Sequence, residues 1–119
     1  IGAAGGSRII TAVLQVIIST IDHKIGIQEA INLGRTHSQW IPDVIRYEGG
    51  INADYKLPSL TKKEIESLKI LNHQFEEDGN VENGKYYLAR AHGIQYKNGS
   101  FYTGVDWRGN GNSNDGVTY

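Results

Sequence analysis

Cysteine is absent from this 119-residue chain, which excludes thiol catalysis, disulfides and cysteine-ligated zinc and leaves the redox compartment undetermined. Methionine is absent too. A natural gene product starts with one, yet this chain starts at Ile1-Gly2 in mid-pattern. The expectation is therefore a processed product or an excerpt of a larger protein. No signal peptide pattern stands at the front, and an excerpt would not carry one. Runs of Lys and Arg are missing as well. With a formal net charge of -1 and a pI near 6.5, the chain has no electrostatic footprint for nucleic acid or an anionic membrane. Long apolar runs are also lacking. The most apolar stretch, Ile9 to Ile21, is too short and too interrupted for the ~20 residues of a membrane span. At this length the chain forms one domain at most, with a modest core.

What is present has a readable order. Ile9-Ile10, Val13, Val16-Ile17-Ile18 and Ile21 are β-branched and favour a strand by propensity. Spacing favours a helix instead. Arg8, Thr11, Gln15, Ser19 and Asp22 recur at steps of three and four, forming one narrow polar stripe. The expected helix runs from Ser7 to about His23, is buried on most of its circumference, and needs neighbours on several sides. A short helix is expected over Ile27 to Leu33, ended by Gly34. A turn at Pro42-Asp43 then leads to a short strand around Val44 to Glu48, with loop at Gly49-Gly50 and Pro58.

Thr61 and Glu64 form a capping box, with Leu60 and Ile65 placed for a hydrophobic staple. Ile65, Leu68 and Leu71-Asn72 mark the face of that helix, which is expected to end near His73. Glu76-Glu77-Asp78 reads as a charge cluster on a solvated turn, within a polar stretch to Gly84. Tyr86 to Tyr96 reads as a strand, Asn98-Gly99 as a two-residue hairpin turn, and Phe101 to Asp106 as the return strand. The tail from Arg108 to Thr118 is rich in Gly and Asn and reads as irregular. Elements of both types in this order predict an α+β or layered α/β/α architecture.

The candidate sites are few. Gly5-Gly6-Ser7-Arg8 stands directly ahead of the apolar helix. Two adjacent glycines reach backbone shapes closed to other residues and leave their amides unshielded. At a helix N-terminus such amides suit a carboxylate, a phosphate or the oxyanion of an acyl-transfer intermediate. The plain alternative is a tight turn into the helix. Arg35, His37, Gln39 and Trp40 form a polar-aromatic group that either lines a cleft or serves structural hydrogen bonding. His23, His37, His73 and His92 lack metal-binding spacing, so no metal is expected. Asn110 to Gly116 superficially resembles a calcium loop, but its glycine is out of register and the closing glutamate is missing. Asn98-Gly99-Ser100 matches a glycosylation sequon, which its hairpin role explains.

Taken together, several segments resemble the C-terminal region of the small subunit of γ-glutamyltranspeptidases. They are Gly5-Gly6-Ser7-Arg8-Ile9-Ile10-Thr11, then Val13 to Ile17, Ile21-Asp22-His23 and Ile27-Gln28-Glu29-Ala30. Arg35 to Asp43, with Arg46 and Glu48, resembles the family's Arg-Phe-His-His-Gln-Trp-Leu-Pro-Asp stretch. Asp106-Trp107-Arg108 resembles its Asp-Pro-Arg ending, before a tail closing on Tyr119. Departures are Ala4 where many members have Pro, Thr36 and Ser38 inside the third motif, and Trp107 for Pro. The Ala3-Ala4-Gly5-Gly6 form resembles fungal members. Residues from about Ile51 to Gly84 are generic.

The resemblance implies part of an N-terminal-nucleophile hydrolase fold, a four-layer αββα sandwich made by self-cleavage of a zymogen. It implies a threonine acyl-enzyme formed on glutathione or related γ-glutamyl compounds and passed to water, an amino acid or a dipeptide. Gly5 and Gly6 would supply backbone amides to the oxyanion, supported by Ser7 and Arg8. Arg35, His37, Gln39, Trp40, Asp106 and Arg108 would be structural or cleft residues. The nucleophile is expected upstream of Ile1, so this chain alone is expected to be inactive. Its expected partners are the large subunit and the N-terminal part of the small subunit, with no cofactor. The family resemblance suggests a secretory, vacuolar, periplasmic or extracellular setting. Two other readings stand beside it: a catalytically silent docking module, and a related acylase on the same fold.

Overall fold

The computed structural model describes residues 1–49, 59–78 and 88–108. Two compact units emerge, one made of Ile1–Asn32 with Ala89–Tyr119 and one of Leu33–Leu88.

In the first unit, strand β1 (Gly2–Ala4) leads through Gly5-Gly6 into helix α1 (Arg8–Ile21), followed by the short helix α2 (Ile27–Asn32). Two strands from the far end of the chain complete the unit. They are described below as β5 (Arg90–Lys97) and β6 (Ser100–Val105), since three strands of the second unit precede them. The sheet is antiparallel in the order β1-β5-β6. Its hairpin turns at Asn98 and Gly99 with φ of 53° and 81°, the two positive values that a type I′ turn requires.

Packing explains the composition of this sheet. Gly93 and Gly104 face each other in register. A Cβ would meet Ile27 Cδ1 at 2.9 Å from the first and Ile31 Cδ1 at 2.6 Å from the second. The paired glycines therefore let α2 close onto the sheet. Val16, Ile27, Ala30, Ile31 and Ala91 form the core, with Ala3 and Ile25 packed against it. Gln28 extends the contact: its carboxamide donates to the Val105 carbonyl at 2.9 Å and accepts from the Val105 amide at 3.0 Å. One side chain thus satisfies both backbone groups of a β6 residue.

The second unit holds β2 (Thr36–His37), β3 (Ile45–Glu48), α3 (Lys62–Lys69) and β4 (Phe75–Asp78). Strand β3 pairs antiparallel with β2 and parallel with β4, so α3 lies in the crossover between the parallel pair. The expected capping box at Thr61 and Glu64 is present in both directions. The helix ends at Lys69, four residues before the expected His73, and Asn72 takes a left-handed φ of 66°.

Two expectations need correction. Glu76-Glu77-Asp78 is not a solvated turn but most of β4, and Asp78 is only 3% exposed. Arg46, opposite on β3, offsets the acidic run by pairing with Glu76 at 3.0 Å and Asp78 at 3.5 Å. The other concerns α1. Among the described residues it is covered along one line only, at Ala12, Val16 and Ser19. Ile10, Leu14, Ile17, Ile18 and Ile21 are exposed, and Ile10 reaches 74%. Its polar stripe lies on the covered side, where Ser19 is buried and Arg8, Thr11 and Gln15 are half-buried. Thr11 and Gln15 donate to helix carbonyls of Arg8 and Thr11, which satisfies them there.

No helix among the described residues is long and apolar enough to cross a membrane. Gly50, Pro58, Gly84, Tyr86 and the tail beyond Arg108, including Asn110 to Gly116, lie outside the described residues.

Candidate active site

Gly5 and Gly6 sit at the turn from β1 into α1, with φ of 150° and 62°. Both values lie where side chains are rarely tolerated, which is why glycine serves at each. The helix starts without a side-chain cap: Ser7 occupies the N-cap position with helical torsions and makes no capping bond. The first helical amides turn back instead, Arg8 N–H to the Gly5 carbonyl at 3.3 Å and Ile9 N–H to the Gly6 carbonyl at 3.1 Å. This leaves the glycine amides at the positive end of a 14-residue helix.

The two glycines differ in their surroundings. A Cβ on Gly5 would stand 2.7 Å from both Cα and Cβ of Ala89, whereas one on Gly6 would meet nothing within 4 Å. Gly5 is therefore wedged on the backbone that precedes β5, and Gly6 faces open space. Ala89 itself has a left-handed φ of 66° and is buried. Sequence reading missed it, because an alanine ahead of a strand carries no sign of an unusual torsion.

The other sequence candidates fall into distinct places. Arg35 is buried and donates from Nη1 to the Leu88 carbonyl at 3.1 Å. His37 is also buried, with its Nε2 3.0 Å from Gln39 Oε1. Trp40 is 79% exposed. Glu48 joins this second-unit group. Its carboxylate accepts the amides of Arg35 at 3.1 Å and Leu88 at 2.8 Å. In the first unit, Asp106 and Arg108 form a buried ion pair at 3.1 Å. Among the described residues no cluster of His, Cys, Asp or Glu is arranged to hold a metal. The resolved pKa changes belong to groups of the second unit. Burial, with Glu77 beside it, pushes the Tyr47 hydroxyl upward, and hydrogen bonds from Thr61 hold the Glu64 carboxyl below its usual range.

A strand, a glycine pair with positive φ and a helix start without a side-chain cap meet at this turn. The γ-glutamyltranspeptidase family model matches residues 1–115, and the chain belongs to that family. It is 49% identical over 53 residues to the glutathione hydrolase proenzyme of Escherichia coli, covering 44% of this chain and 9% of that protein. A second glutathione hydrolase proenzyme, from Schizosaccharomyces pombe, is 44% identical over 52 residues, covering 44% of this chain and 8% of its own.

Among solved structures, the γ-glutamyltranspeptidase of Pseudomonas nitroreducens superposes with a TM-score of 0.72 at 29% identity, covering 92% of this chain and 51% of that one. A mutant of the Helicobacter pylori enzyme gives 0.65 at 34% identity, with 91% and 52% covered. The chain thus spans about half of the solved chains and about a tenth of the curated relatives. Its fold is that of the N-terminal-nucleophile hydrolases, with the mixed helices and sheets expected of an α+β chain.

Proposed function

We propose that this chain is the C-terminal part of the small subunit of a γ-glutamyl hydrolase and transferase, supplying the oxyanion-binding amides of Gly5 and Gly6. The carrying observation is the left-handed glycine pair at an uncapped helix start, within a family match over nearly the whole chain. In the complete enzyme, a threonine supplied upstream attacks the γ-glutamyl carbonyl of glutathione or a related amide. Its own α-amine accepts the proton. As the carbonyl carbon becomes tetrahedral, charge gathers on the oxygen, and the two amides stabilise it without reorganising. Collapse, with that proton passed from the α-amine to the departing nitrogen, expels the amine product and leaves an acyl-enzyme, which water or an amino acid or dipeptide acceptor then resolves.

The bare isoleucine face of α1 supports the partner part of this reading. A helix that apolar on its outer side is suited to being covered by the remainder of the same enzyme.

Gly6 gives a cleaner test than Gly5, since a Cβ there meets no neighbour within 4 Å and the replacement acts through its strained φ and its bulk beside the amide. In the complete enzyme, Gly6→Val should tilt or shield one donor and lower kcat for a γ-glutamyl anilide by ~10²–10³ fold. KM should change little, because the oxyanion is absent from the ground state. A self-cleaved, folded Gly6→Val enzyme with near-normal kcat returns the glycines to a purely structural turn.

A further inference from the structure

Asp106 and Arg108 are the most deeply buried charges of the first unit, at 2% and 9% exposure, and the proposed chemistry leaves them unused. Taking both charges out of water offsets much of their mutual attraction, so a buried ion pair is a poor device for stability alone. Its geometry shows a more specific task. Strand β6 ends at Val105, opposite His92, so the next rung of the ladder has no strand residue to complete it. Asp106 completes it with a side chain: Oδ2 accepts the Ala91 amide at 2.6 Å. Its Oδ1 accepts the Arg108 amide and Arg108 Nη1, each at 3.1 Å. Arg108 Nη1 also donates to the Ile31 carbonyl at 2.9 Å, tying the pair to the end of α2.

The other side of that short stretch carries the glycine pair. Ala91 pairs with Ala3 and Arg90 with Ala4 in the β1-β5 ladder, and Ala89 lies so close to Gly5 that a Cβ there would stand 2.7 Å from it. Ala89 holds a left-handed torsion that alanine rarely adopts. Such a torsion persists only where its surroundings over-determine it. The Asp106 carboxylate is the anchor two residues away.

We propose that Asp106 is a positioning residue for oxyanion binding: by fixing the Ala91 amide it sets Ala89, and through Ala89 the peptide of Gly5. The proposal rests on the functional reading above. Asp106 touches neither substrate nor nucleophile, so its effect appears in how well the amides meet the developing charge.

Two variants of the complete enzyme test it, assayed on a γ-glutamyl anilide per mole of self-cleaved enzyme. Asp106→Asn keeps the volume and weakens the anchor. The double variant Asp106→Ala/Arg108→Met removes both charges, a change that often leaves stability intact. Both should lower kcat about 10- to 100-fold, with KM within about twofold. The double variant should do so even where its melting temperature matches the parent's, which a merely structural role would not produce.

Recovery of kcat together with melting temperature in the double variant overturns the proposal. So does an Asp106→Asn enzyme with the parent's kcat. Loss of self-cleavage in both variants overturns it too, since the pair would then act before the catalytic site exists. If the unaltered enzyme turns over no γ-glutamyl anilide, the functional reading fails first and the proposal falls with it.

Discussion

None of the eight residues of α3 is buried, while α1 buries Ala12, Val16 and Ser19 along one line and leaves five isoleucines and leucines bare opposite them. Their N-termini differ in the matching way. At α3 the Thr61 hydroxyl accepts the Glu64 amide, and the Glu64 carboxylate accepts the Thr61 amide at 2.7 Å, so local side chains satisfy two orphan donors. At α1 no side chain caps the start, and two glycines stand there instead. A helix start closed by its own side chains has fewer donors left for a ligand. One left open can serve chemistry, provided packing elsewhere holds the helix in place.

The comparison breaks most visibly if the bare face of α1 is harmless. Each large side chain fully covered contributes about 1.5–3 kcal/mol. The isolated chain should therefore bind hydrophobic dyes and self-associate. Ile10→Glu with Leu14→Glu should weaken that association more than roughly tenfold, as read by sedimentation. A monomeric, dye-silent parent chain would show that this face needs no partner.

A smaller effect is expected at α3. Thr61→Ala should cost about 1 kcal/mol in denaturant unfolding and leave kcat of the complete enzyme unchanged. A fall in kcat there would erase the contrast between a structural and a functional helix start.

The smallest effect is in pH. Hydrogen bonds from the Thr61 side chain, then from its backbone, lower the Glu64 pKa in the folded state. The resulting stability is present above the unfolded pKa and is lost as pH falls through the folded one. The melting-temperature gap between parent and Thr61→Ala should therefore narrow below about pH 4.3. A gap that widens in acid would contradict the capping box as the cause.

Legibility in the sequence followed the range of the forces involved. Thr61 with Glu64, and Asn98 with Gly99, were readable because each device closes within four residues. Gly5 and Gly6 were readable as an unusual turn for the same reason. The acidic run of β4 was misread because its counter-charge, Arg46, is thirty residues away. The two-residue strand β2 was missed because only its pairing with β3 defines it. The orientation of α1 was hidden for a different reason. Its stripe of polar residues suggests a solvent side, yet Ser19 is buried and Thr11 and Gln15 bond back to the helix on the covered side, while Ile10, Leu14, Ile17, Ile18 and Ile21 are exposed. Asp106 and Arg108 stood out as a motif, but their role depends on where β6 ends.

The Glu48 carboxylate carries a consequence for how its unit is held together. It grips the amides of Arg35 and Leu88 at once, and Arg35 grips the Leu88 carbonyl in return. The two ends of a segment more than fifty residues long are thus knotted to each other inside their own unit. One carboxylate thus works as the clasp of the unit, and Glu48→Ala would release both of its ends at once.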